Sequence, residues 1–287
     1  MPVFDVTVRD VLNRGLRDLE EHFGADVVFY YGEINPGFVK FFRDFIEKLR
    51  ADADSRDHLV ILLNTPGGSA ETVEKMVEII RHHYREVSFA VPDYAMSAGT
   101  IFCMSGDRIY MDYSSSLGPI DPQVWNGKEW VPALGYLDKV EALLEKAQSN
   151  AISHAEFLIL QSQDLATLSR YEQVRDLTVT LLKKWLVEYK FKNWKVHRSD
   201  PAKLGREVTL EEKVARAEEI ALELGNNRRW HSHERMLGLE TIKSLGLEIE
   251  DYSNDERLRG LIRAYNDLMI EYIVHNKATA FMHSRVA

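Results

Sequence analysis

The sequence predicts an α/β fold: a parallel sheet with right-handed helical crossovers, followed by a mostly helical C-terminal part. Strand-sized apolar runs alternate with helix-length amphipathic segments as far as about residue 135. Turns rich in glycine, serine and proline follow consecutive strand runs. Beyond about residue 135 the strand signal gives way to helical periodicity.

Each element has a local cause. Residues 7–23 carry Val8, Val11, Leu12, Leu16, Leu19 and Phe23 at helical spacing, and Gly24 can end that helix. Val27–Tyr31 is a short apolar, aromatic run and reads as a strand. Asn35-Pro36 opens a helix whose apolar face holds Phe38, Phe41, Phe42, Phe45, Ile46 and Leu49. Leu59–Leu63 is a second strand, a helix over 70–83 turns Val73, Met76, Val77 and Ile80 inward, and Val87–Val91 is a third strand. Residues 97–105 read as helix and Arg108–Met111 as a fourth strand. The later helices are expected near 136–149, 153–190 with a break, 210–224, 234–245 and 255–277. Phe191–Arg206 is the most polar and least periodic stretch and reads as an inserted, mobile loop.

Composition narrows the function classes. With 287 residues, 45% hydrophobic and 28% charged, the chain can bury a full core as one large domain or two small ones. A net charge of -9 argues against general affinity for nucleic acid or an anionic membrane. Cys103 is the single cysteine, so no intrachain disulfide forms, which fits a reducing compartment. Met1–Asp10 lacks a basic region followed by an apolar run, and no stretch reaches the roughly 20 apolar residues that span a bilayer. A cytoplasmic protein without membrane insertion is expected. His231, His233 and Glu234 form too small a cluster to argue for a metal, and no cofactor is expected.

Three segments carry chemistry. Asn64-Thr65-Pro66-Gly67-Gly68-Ser69 follows a strand and precedes a helix; its glycines let the backbone approach a ligand, and its N–H groups can face developing negative charge. The plain alternative is an ordinary strand-to-helix turn. Tyr94-Ala95-Met96-Ser97-Ala98-Gly99-Thr100 presents Ser97 at a strand-to-helix elbow among small neighbours. Ser97 as a simple helix N-cap is the competing explanation. Ser114–Gln123 is a loop stiffened by Gly118, Pro119 and Pro122, and alone it could serve packing. All three fall at the carboxyl edge of the sheet, where open α/β folds place their sites.

The motifs Thr65-Pro66-Gly67-Gly68, Ser97-Ala98-Gly99-Thr100 and Ser116-Leu117-Gly118-Pro119-Ile120-Asp121-Pro122-Gln123 resemble the serine dehydrogenase proteinase family. That family belongs to the Clp-protease and signal-peptide-peptidase-A group. Lys184–Phe191 and Trp230–Gly246 also look familiar, and the likeness covers most of residues 27–250. It implies a Clp/crotonase-like ββα superhelix and a serine endopeptidase acting on peptide or protein substrates. It divides the chain into an N-terminal helix (1–26), a catalytic core (27–135) and a mostly helical region (136–287) that completes the core and makes homo-oligomer contacts.

The resemblance implies that Ser97 is the nucleophile and that the Gly67/Gly68 turn and the Ala98 amide form the oxyanion hole. Clp-type triads carry a histidine on the segment after the serine, yet no histidine occurs between Ser97 and Leu134. Relatives with a Ser-Lys dyad place a lysine on a later segment, and Lys139 and Lys146 fall in that window on one helix face. Burial would lower such a lysine's pKa and make it a base. The competing choice is His231-Ser232-His233-Glu234, where His233, steered by Asp121, could serve Ser97 in a permuted triad. Three function classes stand: a serine peptidase, a scaffold that kept the fold without turnover, and an acyl-CoA enzyme, against which the serine elbow argues. The apolar stripe from Leu258 to Ile273 packs on its own domain or docks a neighbouring subunit.

Overall fold

A computed structural model describes residues 3–125, 130–197 and 202–286. In chain order the elements begin with α1 (Val3–Phe23), β1 (Asp26–Gly32), α2 (Val39–Arg50), β2 (His58–Asn64), α3 (Ala70–His83) and β3 (Glu86–Ala90). There follow β4 (Tyr94–Ala95), α4 (Ala98–Met104), β5 (Arg108–Met111), β6 (Ser116–Leu117), β7 (Gln123–Trp125) and β8 (Trp130–Pro132). The second half contains α5 (Ala133–Gln148), α6 (His154–Gln161), α7 (Leu165–Trp185), α8 (Leu210–Leu224) and α9 (Asn227–Trp230). It closes with β9 (Leu237–Gly238), α10 (Leu239–Ser244), β10 (Glu250–Asp251), α11 (Glu256–His275) and β11 (Ala280–His283).

The main sheet runs β10-β5-β3-β2-β1-β11. Its strands are parallel except β11, which lies antiparallel to β1. The strand runs are continuously apolar because both faces are covered. Val28, Tyr30, Leu59, Ile61 and Leu63 face a core shared with Phe42, Ile46, Val73 and Ile80 of α2 and α3. Their neighbours Val27, Phe29, Val60 and Leu62 face a second core with Leu12, Leu16 and Leu19 of α1 and Ile262, Tyr265 and Met269 of α11. The period-2 alternation of a strand thus makes a three-layer α/β/α sandwich.

Several sequence expectations change. The half beyond residue 135 is mostly helical, but it also holds β10 and β11, which supply both edges of the main sheet. These strands are too short to show a periodic signal of their own, and the paired core creates them. The helix expected over 234–245 begins as β9, since Leu237 and Gly238 pair with β6. The stripe on α11 packs inward on the protein's own α1 and sheet, and Leu258, Ile262, Tyr265, Met269 and Ile273 are buried there. Of the loop over 191–206, residues 198–201 lie outside the described residues; its flanks are tied by a bridge between Val196 and Glu207.

Among the described residues no helix is long and apolar enough to cross a membrane. The segment from α5 to the start of α7 departs most from ordinary packing. Tyr136, Leu144, Phe157, Leu158, Ile159 and Leu165 are all exposed, and α6 has no buried residue.

Candidate active site

Ser97 connects β4 to α4 with φ 51° and ψ -114°. A non-glycine residue in this region is strained and persists only where its surroundings enforce it. The enforcement is visible. The Met96 amide donates to the Thr65 carbonyl at 3.0 Å and the Thr65 amide donates to the Tyr94 carbonyl at 3.1 Å, so the elbow is laced to the Gly-Gly turn. Buried Thr100 locks the other side: its hydroxyl accepts from the Gly118 amide at 2.9 Å and lies 2.9 Å from the Ala95 carbonyl. A side chain at Gly99 would strike Thr65 Cγ2, which is why the helix can start so close to the turn. Ser97 is half-buried and its hydroxyl makes no capping hydrogen bond. The N-cap explanation of this serine therefore fails.

The Gly67-Gly68 turn lies against that serine. Gly67 has φ +107° and Gly68 φ +144°, both in the region that favours glycine. A Cβ on Gly67 would sit 2.9 Å from Ser97 Cβ and 2.7 Å from the Met96 carbonyl; one on Gly68 would collide with the Ile34 carbonyl at 2.0 Å. The Gly67 amide already donates to Thr65 Oγ1 at 3.0 Å, so Gly67 brings close approach rather than a free donor. Among the described residues the Gly68 and Ala98 amides donate to no hydrogen bond.

A second, smaller sheet brings distant residues to the same place. It runs β4-β6-β9, and its register puts Ala95, Leu117 and Leu237 in one row. Since β4 and β6 are parallel and β9 antiparallel, the chain leaves Ala95, leaves Leu117 and enters Leu237 at one end. Ser97, Asp121 and His233 sit on those three segments. His233 Nδ1 lies 2.8 Å from Asp121 Oδ1, and Gln123 Nε2 donates to Asp121 Oδ2 at 2.9 Å. Asp121 is 2% exposed and the His233 side chain 23%. A carboxylate only accepts, so the ring proton facing Asp121 is carried by Nδ1.

The lysines are placed differently. Lys139 and Lys146 are exposed on α5, and Lys146 pairs with Glu156 at 2.5 Å. The burial that would make either a base at neutral pH is not met. His231 ends α9 with φ 64° and is exposed, so within its motif only His233 joins Asp121. Sequence reading named both members of that pair. It missed Thr100, Gln123 and Thr65 as supports, for which only the motif positions offered a signal.

A serine on a strained strand-to-helix elbow, packed against a glycine turn at the carboxyl edge of a parallel sheet, is an arrangement suited to acyl-transfer chemistry. Residues 43–199 match the ClpP-like SDH-type serine proteinases, and the chain belongs to that family. Two uncharacterized proteins of Methanocaldococcus jannaschii are similar. One is 29% identical over 190 residues, 66% of this chain and 52% of the relative; the other is 34% identical over 64 residues, 22% of each. The chain thus spans about half the length of the first relative and less of the second. Similar solved structures include a lysine-to-alanine variant of the 1510-N membrane-bound stomatin-specific protease in complex with a substrate peptide (17% identity, TM-score 0.46, 81% of this chain and 76% of that one). ClpP1 from Listeria monocytogenes is another (14% identity, TM-score 0.41, 78% and 89%).

Proposed function

We propose that this chain is a peptidase that hydrolyses peptide bonds through an acyl-enzyme on Ser97, with His233 as general base and Asp121 orienting it. The observation that carries the reading is the strained, uncapped and half-buried Ser97 beside the free Gly68 and Ala98 amides. In this reading His233 Nε2 takes the Ser97 proton as Oγ attacks the carbonyl carbon. The carbonyl electron pair moves to oxygen, where the two amides receive it. Each such donor is worth about 3 to 4 kcal/mol of barrier in comparable enzymes. Collapse expels the amine, which takes the proton from His233. Water then repeats the sequence on the ester and releases the acid and Ser97. Asp121 holds the ring in the tautomer that leaves Nε2 free.

The core over 27–135 supplies the nucleophile and donors in this scheme, and the region over 136–287 supplies the base. The exposed apolar residues of α5 and α6 support a homo-oligomer in which that face is covered. A fluorophosphonate probe tests the central assignment. Wild-type protein should be labelled at Ser97 and the Ser97→Ala variant should not; an unlabelled wild type under conditions where it is folded would refute the nucleophile.

A further inference from the structure

Asn266 lies on α11 and is 2% exposed, although it faces polar partners at the end of β2 and in the bend before β4. Its Oδ1 accepts from Asn64 Nδ2 at 2.6 Å, and its Nδ2 donates to Asp93 Oδ2 at 2.8 Å. The direction of this chain is fixed at one end. The Asp93 carboxylate only accepts, so the amide nitrogen of Asn266 must face it and the amide oxygen must face Asn64. Asn64 is then left with its own Oδ1 buried and without a partner. Such an orphaned acceptor is rare in native interiors and calls for a reason.

The two residues that Asn266 joins are the last positions before the two halves of the site. Asn64 ends β2 and is followed by the Thr65–Gly68 turn. Asp93 precedes β4 and the Ser97 elbow, and its carbonyl also accepts from the Ser116 amide at 2.9 Å, at the start of β6. We infer that Asn266 is a positioning residue: it sets the separation between the Gly68 amide and the Ser97 hydroxyl by clamping Asn64 and Asp93 from the opposite layer of the fold. This rests on the assignment of Ser97 as nucleophile. The backbone bridge between Thr65 and Ala95 holds the same two segments together near the serine. The Asn266 clamp is the second fixed point, and two points are needed to remove rotation of one segment against the other. A positioning role of this kind acts on the acylation step and leaves probe binding intact.

The test measures the maximal rate and half-saturating concentration of fluorophosphonate acylation at Ser97, with the melting temperature recorded for each variant. Asn266→Asp keeps the acceptor for Asn64 but sets a carboxylate against Asp93. It should lower the maximal rate at least tenfold and move half-saturation less than threefold. Asp93→Asn in the same chain restores a donor opposite the new carboxylate, and the double variant Asn266→Asp/Asp93→Asn should recover most of the rate. If Asn266→Asp fails to fold, Asp93→Ala serves, since it removes the acceptor of Asn266 at an exposed position, with a smaller drop in maximal rate expected. An acylation rate in Asn266→Asp or Asp93→Ala equal to that of the wild type overturns the inference. So does a rate loss that tracks melting temperature and is not recovered in the double variant. An unlabelled wild type would instead remove the Ser97 assignment and the inference with it.

Discussion

Asp121 and His233, separated by 112 residues of sequence, meet at 2.8 Å between Oδ1 and Nδ1, on segments that flank the end of the small sheet from which the Ser97 elbow leaves. The carboxylate is buried and its second oxygen is held by Gln123, so the imidazole is oriented by a group that is itself fixed. This arrangement separates the base candidates. His233→Ala should lower kcat/KM on a peptide substrate by about 100- to 10,000-fold. Asp121→Asn should do so as well by releasing the tautomer. Lys139→Ala and Lys146→Ala, on an exposed helix, should stay within about twofold of wild type. A collapse of activity in either lysine variant with His233→Ala unaffected would reverse the assignment.

A short helix that is apolar around its circumference does not stay in water when a partner can cover it. α6 presents Phe157, Leu158 and Ile159, three consecutive residues that point in different directions, and none is buried. Replacing Leu158 and Ile159 with glutamate should therefore dissociate an oligomer. Light scattering after size exclusion is the measurement. A monomeric wild type, or a double variant with the same mass as the wild-type assembly, would show that this face has another role.

Acid should loosen the edge where β11 closes the main sheet. His283 Nε2 donates to Asn13 Oδ1 at 3.1 Å, and in the neutral ring Nδ1, 2.7 Å from the Tyr265 hydroxyl, is left to accept from it. Burial, reinforced by the charge of Arg9, lowers its pKa from 6.5 to about 4. Between those values the unfolded chain holds the proton and the folded chain does not. The contribution is complete above pH 6.5 and is lost as pH falls towards 4, at up to about 1.4 kcal/mol per pH unit. Urea midpoints of wild type and His283→Gln across that window should differ in slope, the variant being flatter. Parallel curves would mean that His283 does not titrate there.

Much of this was legible in the chain because it is local. The strand runs Val27–Tyr31 and Leu59–Leu63 and the glycines of the Thr65–Gly68 turn announce themselves through near neighbours. Even the α11 stripe was visible as a stripe; whether it faced α1 or a second subunit was not, since periodicity reveals an apolar face and not what covers it. The lysines show the same gap from the other side. Their spacing on one helix was readable, but their exposure depends on what packs over α5.

The sequence by itself determined the parallel α/β core, the serine elbow and the glycine turn, because backbone preference and side-chain period act over a few residues. Only the tertiary structure decided that His233 meets Asp121, that Asn266 joins Asn64 to Asp93, and that β10 and β11 finish the sheet. Those contacts depend on strand register and on how two cores pack on opposite faces of one sheet. Both are settled by the whole chain burying its apolar surface at once rather than by any segment alone.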